Sequence, residues 1–173
     1  KYNLYTERML GLIMALAGPA MERAIEYDTV VRQEDINPVT GLPSFSQFSA
    51  LLDRELARQD EEKGTLAVMV LELMNFPALV AEQGTQPVLG LLAQVAAAAR
   101  EIAGSAARVF HYKGEAQLAM LVPNLDSDGA SLFSLNLLTR VNERQWMLRD
   151  ARVFLEVILG FGVRGAPGQT AQD

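Results

Sequence analysis

The chain has 173 residues, half of them hydrophobic, with a formal net charge of -6. That much apolar sequence can bury one sizeable core, so one domain with an appendage is expected. An acidic chain lacks the basic face that displaces counterions from nucleic acid or an anionic membrane, and the absence of cysteine removes disulfides and thiolate metal sites, which fits a reducing, cytoplasmic compartment. The longest early apolar run, Met9 to Ala17, falls short of the roughly 20 residues that cross a bilayer, so no membrane insertion by this chain is expected. An anchor would belong to a longer parent, of which this would be the cytosolic part.

Asn3 to Glu34 reads as one long helix, with apolar residues at Leu4, Met9, Leu12, Ile13, Leu16, Ala20, Ala24, Ile25, Tyr27 and Val31. Gly18-Pro19 predicts a kink or break, because proline removes a donor and crowds the carbonyl one turn back. Such a stripe either packs on the body of its own chain or pairs with a second copy as a coiled-coil-like linker. Asp35 to Pro43, DINPVTGLP, is a cluster of turn formers that separates residues 1–36 from residues 37–173.

Ser44 is a good N-cap for a helix with Phe45, Phe48, Leu51, Leu52 and Leu56 on one face, ending near Arg58 before a charged loop from Gln59 to Thr65. Leu66 to Met74, LAVMVLELM, is almost continuously apolar and predicts a central strand covered on both faces. Phe76 to Gln83 and Gln86 to Ala103 read as helices divided at Gly84-Thr85. Val109, Phe110 and Tyr112 lead into the turn Lys113-Gly114-Glu115-Ala116-Gln117, and Leu118 to Val122 lead out to Pro123, a hairpin expected in the middle of a sheet. Asp126 to Gly129 open a helix through Leu132, Phe133, Leu137, Leu138 and Val141, and Val153 to Val163 supply a last strand. The order α, β, α, α, β, β, α, β predicts an α+β or α/β domain with a ferredoxin-like or palm-like mixed central sheet and packed helices.

Asn37-Pro38-Val39-Thr40-Gly41-Leu42-Pro43 followed by Phe48 resembles the DPLTGLPNRRxF opening of GGDEF domains. Leu71 to Phe76 is similar to that family's LDLDxF, and Leu79, Gly84, Leu91 and Leu92 keep step with its INDxxGHxxGDxLL. The hairpin resembles its RYGGDEF turn, and Phe154 to Val163 resembles its VTLSIGVA strand. The ordered set covers about Asn37 to Gly165.

The resemblance implies the fold of bacterial diguanylate cyclases, in which two domains of a dimer each hold one GTP and strand and turn carboxylates hold divalent metal, joining the GTPs into cyclic di-GMP. It also exposes what is changed here. Glu72 stands at the first strand's metal Asp, Met74 at the second Asp, Val80 at the nucleotide-holding Asn and Leu89 at the guanine-binding Asp. The motif aligns either as Lys113-Gly114-Glu115-Ala116-Gln117, keeping a carboxylate at Glu115, or as Gly114-Glu115-Ala116-Gln117-Leu118, putting Ala116 at the metal position. In neither is the glycine pair intact. The product-site RxxD falls on Ser105-Ala106-Ala107-Arg108 and is absent; Arg32-Gln33-Glu34-Asp35 has the string but lies in the linker.

No cofactor is therefore expected, and Glu72 and Glu115 are weak metal candidates. His111, the one histidine, reads as structural, and Met14, Met69, Met74, Met120 and Met147 as scattered gap-fillers. The expectation is a degenerate, inactive GGDEF domain behind a linker like that following a GAF sensory domain. Its partners would be a second copy and another protein of a bacterial signalling or export system. A non-standard receptor for cyclic di-GMP or another nucleotide is the alternative, with Arg100, Arg108, Arg149 and Arg152 as phosphate contacts, and residual turnover through Glu72 and Glu115 a third reading.

Overall fold

The computed structural model describes residues 35–165. The long helix expected over Asn3 to Glu34, Met14, and most of the Arg32 to Asp35 string lie outside the described residues.

The described part opens on a turn organised by one side chain. Asn37 Oδ1 accepts from the Val39 and Thr40 N–H groups, both at 3.0 Å, and from the Thr40 hydroxyl at 3.2 Å. Gly41, at φ 63°, adopts the left-handed backbone that a glycine tolerates best and donates to Asn37 O. The loop closes with Asn37 N–H on Leu42 O, and Leu42 is fully buried.

Helix α1 (Phe45–Glu62) follows, with Ser44 extended at its N-cap. It runs a turn past Arg58, so Gln59 to Glu62 are helical rather than loop. Asp60, Glu61 and Glu62 are compatible with a solvent-facing last turn while Gln59 turns inward, and Lys63 closes the helix in the left-handed region at φ 53°. Next come β1 (Leu66–Leu73), α2 (Phe76–Gln83), α3 (Thr85–Ala103), β2 (Arg108–His111), β3 (Gln117–Pro123) and α4 (Ser127–Glu143). Asp126 caps α4 by accepting the Gly129 N–H at 2.8 Å. The last strand expected over Val153 to Val163 corresponds to β6 (Val157–Arg164), which joins the main sheet, and ahead of it β4 (Trp146–Leu148) and β5 (Ala151–Val153) form a separate hairpin that was not expected.

That sheet has the order β2-β3-β1-β6, with every neighbouring pair antiparallel, where a mixed sheet was expected. The β2–β3 hairpin lies at one side of it rather than in the middle, β2 being an edge. Strand β1 is central, as its apolar run predicts, yet its faces differ. Ala67, Met69, Leu71 and Leu73 are buried, whereas Val68, Val70 and Glu72 are half-buried, because successive residues of a strand face opposite sides.

The fully buried face packs into the main core with Val88, Leu91, Leu92, Val95, Ala96 and Ala99 of α3 and Leu137 and Val141 of α4. The alanines of α3 favour the helix. Each fully buried leucine, such as Leu71, Leu91 or Leu137, contributes about 2 kcal/mol of apolar burial. On the other face Phe48 of α1 gathers Phe110, Ala119 and Leu121, with Phe45, Leu51, Leu52, Val68 and Tyr112 around them. Of the methionines, Met69 and Met120 fill the core, but Met74 and Met147 are about half exposed, the first standing just past the end of β1.

Candidate functional site

The end of β1 and the β2–β3 turn come together because of strand register. The β1–β3 pairing runs from Leu66↔Pro123 to Glu72↔Gln117, so Glu72 and Gln117 are cross-strand partners. Beyond them Leu73 N–H donates to Ala116 O at 3.2 Å, which fastens the turn to the strand end. Within the hairpin, Tyr112 N–H donates to Gln117 O and Gln117 N–H to Gly114 O, so the chain reverses over Lys113 to Ala116.

One amide organises this corner. Gln117 Nε2 donates to Glu72 Oε2 at 3.0 Å, and Gln117 Oε1 accepts the Gly114 backbone N–H, also at 3.0 Å. Gly114 is needed for that fold-back, since a Cβ there would stand 2.8 Å from Gln117 Cδ. Glu72 is thus half-buried and hydrogen-bonded. Lys113 leaves the turn in the other direction, its Nζ lying 4.7 Å from the Phe45 ring centroid and 5.9 Å from that of Tyr112.

Glu115 is exposed at the turn, while Ala116 is buried in the main core, so the two alignments of the motif put either an exposed carboxylate or a buried methyl at the metal position. His111 ends β2 with its backbone N–H on Pro43 O and its Nδ1 buried without a partner. Burial pushes its imidazole below the ordinary 6.5, and the Glu115 charge pulls it partly back. Met74 is exposed, and Val80 and Leu89 pack against the main core. Among the described residues, no three His, Asp or Glu side chains gather where they could hold a metal ion.

Asn75 follows Met74 and pins the chain leading into β6. Its Nδ2 donates to Phe154 O at 2.8 Å and its Oδ1 accepts Glu156 N–H at 3.1 Å, with Met74 N–H on Glu156 O at 2.7 Å. The arginines considered for phosphate contact sit on separate elements. Arg100 is in the last turn of α3, Arg108 on β2, Arg149 between β4 and β5 with Nη2 3.5 Å from Gln83 O, and Arg152 on β5. Arg152 does line a cavity, with Arg144, Trp146 and Phe154, none of which the sequence reading singled out as site residues. The lone tryptophan close to two arginines was the available signal.

Similar architectures are known. The GGDEF domain of FimX from Pseudomonas aeruginosa superposes with a TM-score of 0.73 at 23% identity, covering 79% of this chain and 84% of that one. The coiled coil and GGDEF domain of DgcB from Caulobacter crescentus, solved with c-di-GMP, gives 0.73 at 24% identity over 93% of this chain and 85% of that chain. Diguanylate cyclase SiaD from Pseudomonas aeruginosa, solved with its activator SiaC, gives 0.71 at 15% identity over 96% and 64%. No curated protein matches the chain. The family model described as diguanylate cyclase, GGDEF domain, matches residues 35–173, the span that includes the Asn37 turn, β1, the hairpin and β6, and the chain belongs to that family.

Proposed function

We propose that this GGDEF domain is a non-catalytic module that works through protein–protein interaction or dimerisation within a bacterial signalling or export system. The observation that carries the reading is the Gln117 amide, which engages the Glu72 carboxylate and the Gly114 N–H at once. Those are the two groups of the corner that a cation and a phosphate would need.

The remaining donors argue the same way. A hard divalent cation takes about six oxygen ligands. Met74 offers a thioether, Glu115 sits on the exposed turn, and the one carboxylate on β1 already has a partner, so the donor set does not fit such an ion. By the family resemblance Val80 and Leu89 stand at the nucleotide-holding and guanine-binding positions; both pack against the main core, and hydrocarbon there would leave ribose and base groups unpaired at about 1 to 3 kcal/mol each.

Dimerisation rests on the segment before Asp35, outside the described residues, whose sequence keeps an apolar stripe through Leu12, Leu16, Ala20, Ala24, Tyr27 and Val31. Exposed on a monomer, that stripe would cost about 25 cal/mol per Å². Two relatives of this fold have been solved with a coiled coil and with a protein activator, respectively.

Two measurements test the reading. Incubation with GTP and Mg²⁺ or Mn²⁺ is expected to give no cyclic di-GMP by chromatography; a product peak that disappears in Glu72→Ala would overturn it. Light scattering is expected to give a dimer for the full chain and a monomer for Leu16→Asp, and a monomeric wild-type chain would rule out this mode of association.

A further inference from the structure

Away from the Glu72 corner, a cavity of about 290 Å³ opens between the end of α4, the β4–β5 hairpin and the chain that follows it. Its apolar lining comes from Val141, Trp146, Val153, Phe154 and Leu155, of which Trp146 and Leu155 are each only 3% exposed. The Trp146 indole N–H is already donated to Val141 O at 2.9 Å, so the small accessible part of the ring offers the cavity an apolar contact rather than a donor. At the mouth stands Phe154, a phenyl ring 74% exposed, on a backbone that Asn75 holds in place.

The polar lining is cationic or neutral. Arg144, Arg152 and Asn142 contribute to it, and no carboxylate does, in a chain whose net charge is -6. The Arg144 guanidinium lies 5.4 Å from the Trp146 ring centroid, and its Nη1 is 3.3 Å from Glu101 Oε2. Both partners of that ion pair are solvent-accessible, at 48% and 75%, so the pair is weak and exchangeable. The Arg152 guanidinium has neither a hydrogen bond nor an ion pair among the described residues.

We infer that this cavity is a binding site for a small aromatic anion, with the ring against Trp146 and Phe154 and the charged group on Arg152 and Arg144. Guanidinium groups bind phosphate, sulfonate or carboxylate through paired N–H donors, and they also stack on planar rings. The volume falls just below the roughly 300 to 1,000 Å³ of small-molecule sites, which suits nothing larger than a single ring with its anionic group. None of the residues lining this cavity belongs to the corner formed by Glu72, Gly114 and Gln117.

The test uses the full chain and its sole tryptophan as reporter. Phenyl phosphate is expected to change Trp146 fluorescence saturably, whereas phenol or inorganic phosphate at the same concentration does not. Arg152→Gln is expected to weaken phenyl phosphate binding about tenfold, the loss of one charge-assisted hydrogen bond, with Arg152→Lys intermediate and thermal unfolding unchanged. No saturable change with phenyl phosphate, or an equal response to phenol, or an unaffected Arg152→Gln variant, would each overturn the assignment.

Discussion

Gln117 donates to the Glu72 carboxylate across 3.0 Å although 45 positions separate them in sequence. Because the same amide also accepts from Gly114, its removal frees two groups. Gln117→Ala is expected to cost about 1 kcal/mol, a typical net hydrogen-bond contribution in a partly solvated place. Gln117→Glu should cost more at neutral pH, since two carboxylates then face each other and repel. Its deficit should shrink as the pH falls through the carboxylate range. Urea unfolding of both variants at neutral and acid pH checks this, and a Gln117→Glu variant no less stable than Gln117→Ala at neutral pH would contradict it.

Gly114 is expected to depend on Gln117. The three atoms nearest to a Cβ at Gly114 all belong to the Gln117 side chain, Cδ at 2.8 Å, Oε1 at 2.9 Å and Cγ at 3.1 Å. Gly114→Ala should therefore displace the amide and cost about as much as one or two hydrogen bonds, roughly 1 to 2 kcal/mol. In a Gln117→Ala background the same substitution should be almost neutral, because nothing is left to displace. Additive effects in the double-mutant cycle would show that the glycine is needed for a different reason.

The parts of this corner were unequally legible. LAVMVLELM announced β1, and the apolar runs around Lys113 to Gln117 announced the hairpin, because long periodic stretches have few alternative structures. Glu72 was visible as a carboxylate in an apolar strand. Its hydrogen bond was not visible, since it depends on the β1–β3 register, which only the folded sheet fixes. The β4–β5 hairpin escaped for a different reason. Each strand has three residues, too few for periodicity, and the reversal between them uses Arg149 at φ 54°, a residue type that gives no turn signal. With that hairpin went the cavity beside it.

His111 makes stability depend on pH in a defined window. Its folded value lies below the ordinary 6.5, with burial the larger cause and Glu115 opposing it. Between the folded and unfolded values the unfolded chain binds more protons, so stability rises with pH there. The full contribution is present above 6.5 and is lost as the pH falls through the folded value. His111 is the chain's one histidine, so it should dominate the change between about pH 7.5 and 5.5. Thermal unfolding of wild type should fall across that interval more than that of His111→Gln. In Glu115→Gln the imidazole, followed by NMR, should titrate lower still; a rise would show that the Glu115 charge does not reach it.

Asn75 gives the most discriminating substitution, because its two side-chain atoms do opposite jobs. Nδ2 donates to Phe154 O and Oδ1 accepts Glu156 N–H, so the side chain can serve only as an amide in one orientation. Asn75→Ala removes both bonds, but the site is exposed and water can replace them, so the expected loss is about 1 kcal/mol. Asn75→Asp keeps the acceptor for Glu156 N–H yet turns the donor into a carboxylate oxygen aimed at the Phe154 carbonyl. Two acceptors then face each other, and although the variant is nearly isosteric it should be less stable than Asn75→Ala. Since Phe154 and Leu155 line the cavity, both variants should also weaken phenyl phosphate binding as read by Trp146 fluorescence, Asp more than Ala. Equal stability of the two variants would mean that the Phe154 carbonyl moves freely to water, and that Asn75 does not hold the segment in place.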